Sequence, residues 1–293
     1  MSEGTVISRY KKNALIKSTQ GNEFSCVFKN KNISPLVGDK VFFSEENNTF
    51  IIKNILPRLS EFTRIDKNGK KEAIASNITQ LAIVIAPKPK PDWFLLDKYL
   101  CTSQIKKFKT IIIFNKTDLG DLYNERLRVY KDIGYKIIYT NNKFNNDRVE
   151  ILNELSGQTS VFIGQSGVGK SSIINKLVQK KTQLVGKLSE KLDAGKHTTT
   201  TSTLFTLPNK AMIIDSPGVR NYAPYFENAS DILNSFVEFK KLKDKCHFSN
   251  CKHISEPNCS VKKALKNDLI NKKRYESFLK IYTLLEKINS SQY

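Results

Sequence analysis

The sequence predicts an α/β core, preceded by a small all-β domain and followed by a mostly helical domain with a metal site. Three observations lead to this fold class. Apolar strands alternate with helices in the middle of the chain, a glycine-rich octapeptide lies between one such strand and the next helix, and three cysteines and a histidine cluster near the carboxyl end. Strands and helices that alternate in this way form a mostly parallel sheet. The 293 residues, 39% of them hydrophobic, suffice for one large core and one or two satellite domains.

The all-β domain is predicted from short alternating runs separated by Gly, Asn and Pro turns. The runs cover residues 4–7, 23–28, 40–43 and 50–55. This pattern predicts a small β-barrel, but it does not distinguish an OB-fold from an SH3-like barrel. A basic, aromatic-bearing face for RNA is one interpretation of its charges, and an inert surface is the alternative. The candidate residues are Arg9, Tyr10, Lys11, Lys12, Lys29 and Lys31. A charged linker is predicted over residues 67–76.

The core is predicted from apolar runs of strand length and from longer amphipathic segments. Strands are expected over residues 80–86, 110–114, 136–140, 159–163, 202–207 and 211–214. Helices are expected over residues 93–107, 122–133 and 172–178. Another helix is expected to start at Asn228, and a basic helix from about Val261 onward. The apolar positions of helix 93–107 are expected to pack on the sheet and not to form a ligand site; they are Phe94, Tyr99, Leu100 and Ile105.

The glycine-rich octapeptide matches the phosphate-binding loop of nucleotide-binding proteins. It follows strand 159–163 and precedes helix 172–178, which is the context that such a loop needs. The glycines let successive backbone N–H groups turn toward phosphates, the lysine neutralises their charge, and the serine is placed to bind Mg²⁺. A solvated glycine-rich turn is the alternative. The predicted binding residues are Gly164, Gln165, Ser166, Gly167, Val168, Gly169, Lys170, Ser171 and Ser172.

A second motif, Asn115-Lys116-Thr117-Asp118, follows strand 110–114 and predicts recognition of guanine. Asp118 would accept hydrogen bonds from the N1–H and the 2-amino group of guanine, which adenine cannot supply. A surface turn in a chain rich in asparagine and lysine is the alternative.

Asp215 and Gly218 form a D-x-x-G pattern directly after strand 211–214. An aspartate there reaches Mg²⁺ through water, and the glycine bonds the γ-phosphate. The pattern is short enough to arise by chance, so its position after a strand supports the prediction. The polar segment 180–203 precedes it. Thr199, or secondly Thr198, is predicted to bind Mg²⁺ in the triphosphate state and to let go after hydrolysis; a flexible Ser/Thr-rich loop is the alternative.

The guanine motif precedes the phosphate-binding loop, the reverse of the order in ordinary GTPases. The same site would then be assembled from a circularly permuted chain. The sequence therefore predicts a permuted P-loop GTPase core.

The carboxyl-terminal cluster has the spacing C-x₄-C-x-H-x₅-C and consists of Cys246, Cys251, His253 and Cys259. Three thiolates and one imidazole suit tetrahedral Zn²⁺ with no open position, which predicts one structural zinc ion. Disulfides and plain buried cysteines are the alternatives. His247 would be an extra ligand, so it is expected beside the site or exposed, whereas Cys26 and Cys101 are expected in the core.

The formal net charge of +20 and the isoelectric point near 9.6 suggest a polyanionic partner, although solvated surface lysines account for part of such an excess. Residues 1–13 contain no apolar targeting segment, and the longest apolar runs are too short to span a membrane. A cytoplasmic, monomeric protein without membrane attachment is expected.

Together with the segment Gly195-Lys196-His197-Thr198-Thr199-Thr200, the motif order and the cysteine cluster resemble the RsgA (YjeQ) family of GTPases that depend on the small ribosomal subunit. The resemblance spans nearly the whole chain. It implies an OB-fold RNA-binding domain over residues 1–64, a permuted GTPase domain over 72–222 and a zinc-binding helical domain over 223–293. It also implies binding of GTP or GDP with Mg²⁺ and association with the small (30S) subunit and its 16S rRNA late in assembly. Because the chain passes almost directly from Asp215–Gly218 into the carboxyl-terminal domain, GTP is expected to fix a ribosome-binding arrangement of barrel and zinc domain, and hydrolysis to loosen it and drive release.

Val219 stands where ordinary small GTPases have the glutamine that orients the attacking water. The resemblance implies that His197, or a group from the ribosome, takes this role, with Lys170 and Thr199 as the other catalytic residues. A solvated histidine is the alternative. Residues 139–142 occupy the place of a base-stacking loop but depart from its usual serine pattern, so no residue is assigned there.

Two competing functions share these motifs. One is an RNA-binding or RNA-remodelling module whose nucleotide site is structural, and the other is a factor that acts on mature ribosomes.

Overall fold

The computed structural model describes residues 1–28, 33–66, 69–120, 123–141, 146–178, 202–215, 222, 224–226 and 228–290. Five strands at the amino end close into the predicted barrel. They are β1 (Ser2–Arg9), β2 (Asn13–Ser18), β3 (Glu23–Val27), β4 (Lys40–Glu46) and β5 (Thr49–Ile55). Hydrogen bonding runs β1–β2–β3–β5–β4 and returns from β4 to β1, so each of these strands has a neighbour on both sides. The barrel has its own apolar core, which includes Cys26 as expected.

A two-stranded hairpin joins the barrel to the core, where a linker was expected. It consists of β6 (Glu61–Ile65) and β7 (Lys71–Ser76), paired antiparallel. The linker prediction was wrong because it weighed the charges of this segment, whereas its pairing with β6 depends on contacts that the sequence does not display. Phe62 and Ala75 are fully buried, while Lys71 and Glu72 at the start of β7 are exposed.

The core is the predicted α/β sheet. Its strands are β8 (Gln80–Ile85), β9 (Lys109–Phe114), β10 (Lys136–Tyr139), β11 (Thr159–Ile163), β12 (Thr203–Thr206) and β13 (Met212–Asp215). They lie in the order β10-β9-β8-β11-β13-β12, and each pairs in parallel except β12, which is antiparallel to β13. Every residue of β8 and β11 is buried, as expected for central strands covered on both faces. Thr203 of β12 also pairs with Ser8 of β1, so the sheet continues into the barrel.

Among the described residues of the core, four helices cover this sheet: α1 (Trp93–Lys106), α2 (Asn124–Asp132), α3 (Asn146–Leu155) and α4 (Lys170–Val178). The start of α1 follows from Asp92, whose Oδ1 accepts a hydrogen bond from the Leu95 N–H at 2.8 Å. Its end follows from Lys107, which adopts a left-handed conformation with φ of 57°. The predicted helix 93–107 is thus confirmed. Tyr99 and Leu100 are buried against the sheet, as expected, whereas the expectation for Phe94 and Ile105 was wrong, because both pack against the apolar core of the carboxyl-terminal region.

The carboxyl-terminal region consists of α5 (Ala229–Leu233), α6 (Val237–Lys240), α7 (Ser260–Lys266) and α8 (Lys272–Ser290), with a 3₁₀ turn at Lys243–Lys245. Helix α5 starts directly after Asn228, as predicted, although the Asn228 side chain makes no capping hydrogen bond. The single basic helix expected from about Val261 is divided into α7 and α8. Asp268 has φ of 55° and lies between them, and Ile270 turns inward to join the apolar core of this region.

A buried ionic contact fixes the carboxyl-terminal helices to the core. Arg274 of α8 is 1% exposed, and its Nη1 donates to Oδ1 of Asp97 in α1 at 2.5 Å. The same guanidinium donates from Nε to Oε1 of Glu238 in α6 at 2.9 Å. Asp97 also accepts a hydrogen bond from the hydroxyl of Tyr130 in α2 at 2.9 Å. Helix α1 is therefore held from both the core and the carboxyl-terminal side.

Within the described part of the chain, no helix has the combination of length and hydrophobicity that crossing a membrane requires.

Candidate nucleotide and metal sites

The glycine-rich octapeptide forms the turn between β11 and α4, as predicted. Gly164 has φ of 140°, and a Cβ built on it would lie 2.1 Å from the backbone oxygen of Val84. Gly169 has φ of 98°, and a Cβ there would lie 2.3 Å from Nδ2 of Asn115. Neither position tolerates a side chain, because both the backbone conformation and the neighbouring atoms exclude one. The loop is consequently closely packed against β8 and β9.

Lys170, the first residue of α4, turns back over the loop. Its Nζ donates to the carbonyl oxygens of Gly164 at 2.9 Å and Gln165 at 2.8 Å. Ser171 and Ser172 follow in the first turn of α4 and are exposed. An ammonium group, exposed hydroxyls and a helix amino terminus converge here, and this combination favours an anionic ligand.

The guanine motif contacts the phosphate-binding loop directly, although the two lie far apart in sequence. The Asn115 Nδ2 donates to the Val168 carbonyl at 2.8 Å. The Lys116 Nζ donates to the Gly167 carbonyl at 2.7 Å and to the Lys88 carbonyl at 3.0 Å. The two motifs meet because β9 and β11 are parallel strands of one sheet, whose carboxyl ends lie at the same edge.

The rest of the motif forms the rim of this edge. Thr117 donates to the Thr140 carbonyl from its backbone N–H at 3.1 Å and from its hydroxyl at 3.2 Å. The chain then makes a 3₁₀ turn over Thr117–Leu119, in which Asp118 is exposed. The arrangement presents a carboxylate at the rim, supported by two strand ends.

Asp215 ends β13, which is the neighbour of β11 in the sheet. Burial raises the pKa of the Asp215 carboxyl above its usual range, and the positive charge of Lys170 opposes this shift. The ammonium group of Lys170 therefore favours the ionised form of the Asp215 carboxyl. A divalent cation beside them would compensate the cost of an ionised, half-buried carboxylate. The other predicted nucleotide and catalytic residues lie outside the described residues, and so does Val219. They are His197, Thr198, Thr199 and Gly218.

The predicted zinc ligands come together in the carboxyl-terminal region. The ligand atoms of Cys246, Cys251, His253 and Cys259 all lie within 4.8 Å of one another. The Nδ1 of His253 is 3.6 Å from the sulfur of Cys246 and 3.4 Å from that of Cys259. The sulfurs of Cys246 and Cys259 are 3.9 Å apart, which is too far for a disulfide bond.

The donor set fits a soft divalent metal. Burial raises the pKa of the Cys251 thiol to about 12, so this thiol needs a nearby positive charge to ionise near neutral pH. The hydroxyl of Tyr275 in α8 donates to the His253 carbonyl at 2.6 Å and fixes the cluster to the helical core. His247 is exposed beside the cluster, as expected.

The sequence and the fold were compared with those of known proteins. A model of the RsgA GTPase family matches residues 55–224. The chain belongs to the RsgA GTPase family.

Relatives of similar length share this assignment. The chain is 33% identical to the small ribosomal subunit biogenesis GTPase RsgA of Haemophilus influenzae (strain PittGG), over 99% of this chain and 87% of the relative. It is 36% identical to the protein of the same name from Hahella chejuensis, over 97% of this chain and 85% of the relative.

Two solved structures share the architecture. YjeQ from Thermotoga maritima has a TM-score of 0.75 at 27% identity, over 97% of this chain and 98% of that structure. YloQ, described as a circularly permuted GTPase, has a TM-score of 0.73 at 22% identity, over 98% and 96% of the two chains. The permuted fold predicted from the motif order is confirmed.

The RsgA-family site contains one element that the sequence analysis missed, the segment between β8 and α1. Its Lys88 carbonyl binds Lys116, and its Lys90 carbonyl accepts a hydrogen bond from Nε2 of Gln165 at 3.2 Å. The sequence analysis assigned no residue of this segment to the site. Its position directly after β8 was a usable signal, because loops that follow adjacent parallel strands meet at one edge of the sheet.

Proposed function

We propose that the edge formed by the phosphate-binding loop, Asn115–Asp118 and Asp215 binds GTP or GDP with Mg²⁺. The direct contact of Asn115 and Lys116 with the loop carries this proposal, since it brings two separated motifs into one site. Asp118 is assigned to guanine, Lys170 to the phosphates, and Ser171 and Asp215 to the Mg²⁺ shell. The predicted roles of His197, Thr198, Thr199 and Gly218 belong to the same proposal.

Nucleotide selectivity tests the site. Asp118→Ala should weaken GTP binding strongly and leave little preference over ATP, because only the carboxylate pairs with the guanine N–H groups. Asp132→Ala is the matched control, since Asp132 is also an exposed aspartate but lies at the end of α2. Fluorescence titration with labelled GTP and ATP measures both variants. Undiminished selectivity in Asp118→Ala would contradict the assignment of the guanine site.

We further propose that the protein acts in biogenesis of the small ribosomal subunit, binds that subunit and its 16S rRNA, and is released when GTP is hydrolysed. Its relatives carry this function in their names. The surface charge supports a polyanionic partner: the carboxyl-terminal region exposes Lys240, Lys241, Lys243, Lys245, Lys252, Lys263 and Lys266. On the barrel, Arg9, Lys11 and Lys12 are exposed, and Lys29 and Lys31 lie outside the described residues. Such a protein would work in the cytoplasm, where ribosomal subunits assemble.

The dependence on the subunit follows from Val219, which cannot orient water. The rate of GTP hydrolysis should rise steeply with added small subunits, whereas large subunits at the same concentration should have little effect. Fast turnover by the isolated protein would contradict a partner-dependent mechanism. Sedimentation with subunits in a non-hydrolysable GTP analogue and in GDP tests release, since equal occupancy in both states would rule out coupling to hydrolysis.

Lys170→Ala separates the enzyme from an RNA-binding module with a structural nucleotide site. In the proposed function this variant loses hydrolysis and subunit maturation while RNA binding is kept. Normal maturation with Lys170→Ala would favour the binding module.

We propose that Cys246, Cys251, His253 and Cys259 hold one structural Zn²⁺, which would supply the positive charge that stabilises three thiolates. Purified protein should contain one zinc per chain by mass spectrometry, and Cys251→Ser should lose it. Cys26→Ser is the control, because Cys26 is a buried cysteine of the barrel. Full metal content in Cys251→Ser would contradict the ligand set.

A further inference from the structure

The side chain of Gln165 holds the phosphate-binding loop to the segment that leads into α1. Its Oε1 accepts a hydrogen bond from the Asp92 N–H at 2.9 Å, and its Nε2 donates to the Lys90 carbonyl at 3.2 Å. One partner is a donor and the other an acceptor, so only one orientation of the amide satisfies both. The two hydrogen bonds therefore fix the orientation of the Gln165 amide group.

The partner of Gln165 is a rigid element. Asp92 contributes its N–H to Gln165 and its carboxylate to the cap of α1. Farther along α1, Asp97 is bound by Arg274, and Lys98 Nζ donates to the Tyr222 carbonyl at 2.7 Å. A hydrogen bond to the amino end of α1 consequently restrains the phosphate-binding loop against a helix that is itself fixed on several sides.

The restraint reaches the phosphate-binding lysine. The carbonyl of Gln165, in the residue whose side chain is held, accepts a hydrogen bond from Lys170 at 2.8 Å. Fixing the side chain limits rotation of this residue and hence the direction of its carbonyl. A loop ordered before the ligand arrives loses less conformational entropy on binding.

We infer that Gln165 is a positioning residue for the bound phosphates, which holds the phosphate-binding loop and Lys170 in a binding-competent arrangement against α1. The inference rests on the proposed nucleotide site. It assigns Gln165 a role through its side chain that is separate from the backbone contacts expected of the loop.

Gln165→Met tests the inference, because methionine keeps the length of the side chain and removes both hydrogen bonds. Because two neutral hydrogen bonds are lost, the affinity of this variant for GTP and for GDP should fall by about tenfold. Since the loop is contacted in both the ground state and the transition state, the loss should appear mainly as a higher KM. Gln165→Ala, which introduces no new contacts, should act in the same direction.

Gln104→Met is the matched control. Gln104 is a half-buried glutamine of the same helix α1, and its Oε1 accepts a hydrogen bond from Lys240 at 2.9 Å, away from the phosphate-binding loop. Nucleotide titration, GTPase kinetics without ribosomal subunits and thermal unfolding are measured for each variant. A merely structural role would lower the melting temperature and leave the KM of the folded enzyme unchanged.

The outcomes are distinguishable. A tenfold rise in Kd and KM for both Gln165 variants, absent in Gln104→Met, is the expected result. Affinities within twofold of wild type in both Gln165 variants, or an equal effect of Gln104→Met, would overturn the inference. Lys170→Ala in the same titration tests the proposed site itself: wild-type affinity there would overturn the site, whereas lost affinity there with unaffected Gln165 variants would overturn the positioning role alone.

Discussion

Removal of the Arg274 guanidinium should strongly destabilise the contact between the core and the carboxyl-terminal helices. Arg274→Met preserves much of the apolar stem but leaves two acids without their cation. Asp97 is 0% exposed and loses a hydrogen bond of 2.5 Å, while Glu238 loses hydrogen bonds of 2.9 and 3.1 Å. The cation also lies 4.6 Å from the ring centroid of Phe236.

The expected cost is about 3–5 kcal/mol, the range for breaking a buried ion pair by deleting one partner. At about 2–4 °C per kcal/mol for chains of 150–250 residues, the melting temperature should fall by roughly 10 °C. Thermal unfolding followed by circular dichroism measures the change. Arg274→Lys should recover only part of the stability, because lysine keeps the charge but cannot bind Asp97 and Glu238 with a planar fork.

Arg128→Met is the control for this experiment. Arg128 forms an exposed pair with Asp132 at 3.7 Å, four residues along α2. Loss of such a pair costs only about 0.3–0.5 kcal/mol. If Arg274→Met shifted the melting temperature no more than Arg128→Met, the contact would not hold the two regions together, and the structural argument for a fixed α1 would be wrong.

Three further predictions concern single positions. Gly169→Ala should abolish nucleotide binding in titrations, because its Cβ would lie 2.3 Å from Nδ2 of Asn115. Gly134→Ala is the control, since Gly134 has a similar φ of 100° but no atom within 4 Å of an added Cβ. This variant has only the backbone strain of about 1–2 kcal/mol and should bind nucleotide normally. Tyr222→Phe should cost about 1–2 kcal/mol in denaturant unfolding, because the buried hydroxyl donates to the Thr63 carbonyl at 3.1 Å, and an unchanged midpoint would show that this bond is dispensable. Because burial raises the pKa of Asp215, ionisation of this carboxyl opposes folding at pH values above the unfolded pKa of about 3.9. Asp215→Asn should therefore raise the melting temperature of nucleotide-free protein at neutral pH, and the gain should vanish below about pH 3, where the carboxyl is protonated in both the folded and the unfolded state. A gain that is independent of pH would contradict this cause.

Several features were predictable because they depend on local patterns. The phosphate-binding loop needs glycine at Gly164 and Gly169, and the structure shows the carbonyl and amide that exclude a side chain there. The cysteine cluster was predictable from spacing, since all four ligands lie within one short segment. Helix α1 was predictable from its apolar positions, of which Tyr99 and Leu100 pack on the sheet.

Other features escaped prediction because their partners are distant in sequence. The strand β7 was taken for a linker, since its charges are visible in the sequence but its pairing with β6 and the burial of Ala75 are not. The break between α7 and α8 depends on Asp268 and on a pocket for Ile270 that only the packed helices provide.

The sequence by itself determined the chemistry of this protein: which residues suit phosphates, guanine and a thiolate-bound metal, and in what order they follow one another. Only the tertiary structure decided which of these groups meet. Asn115 binds the Val168 carbonyl, Gln165 binds the start of α1, and Arg274 binds Asp97 across 177 residues of chain. The physical reason is that motifs reflect local backbone geometry, whereas hydrogen bonds between distant segments depend on the packing of the whole sheet and its helices.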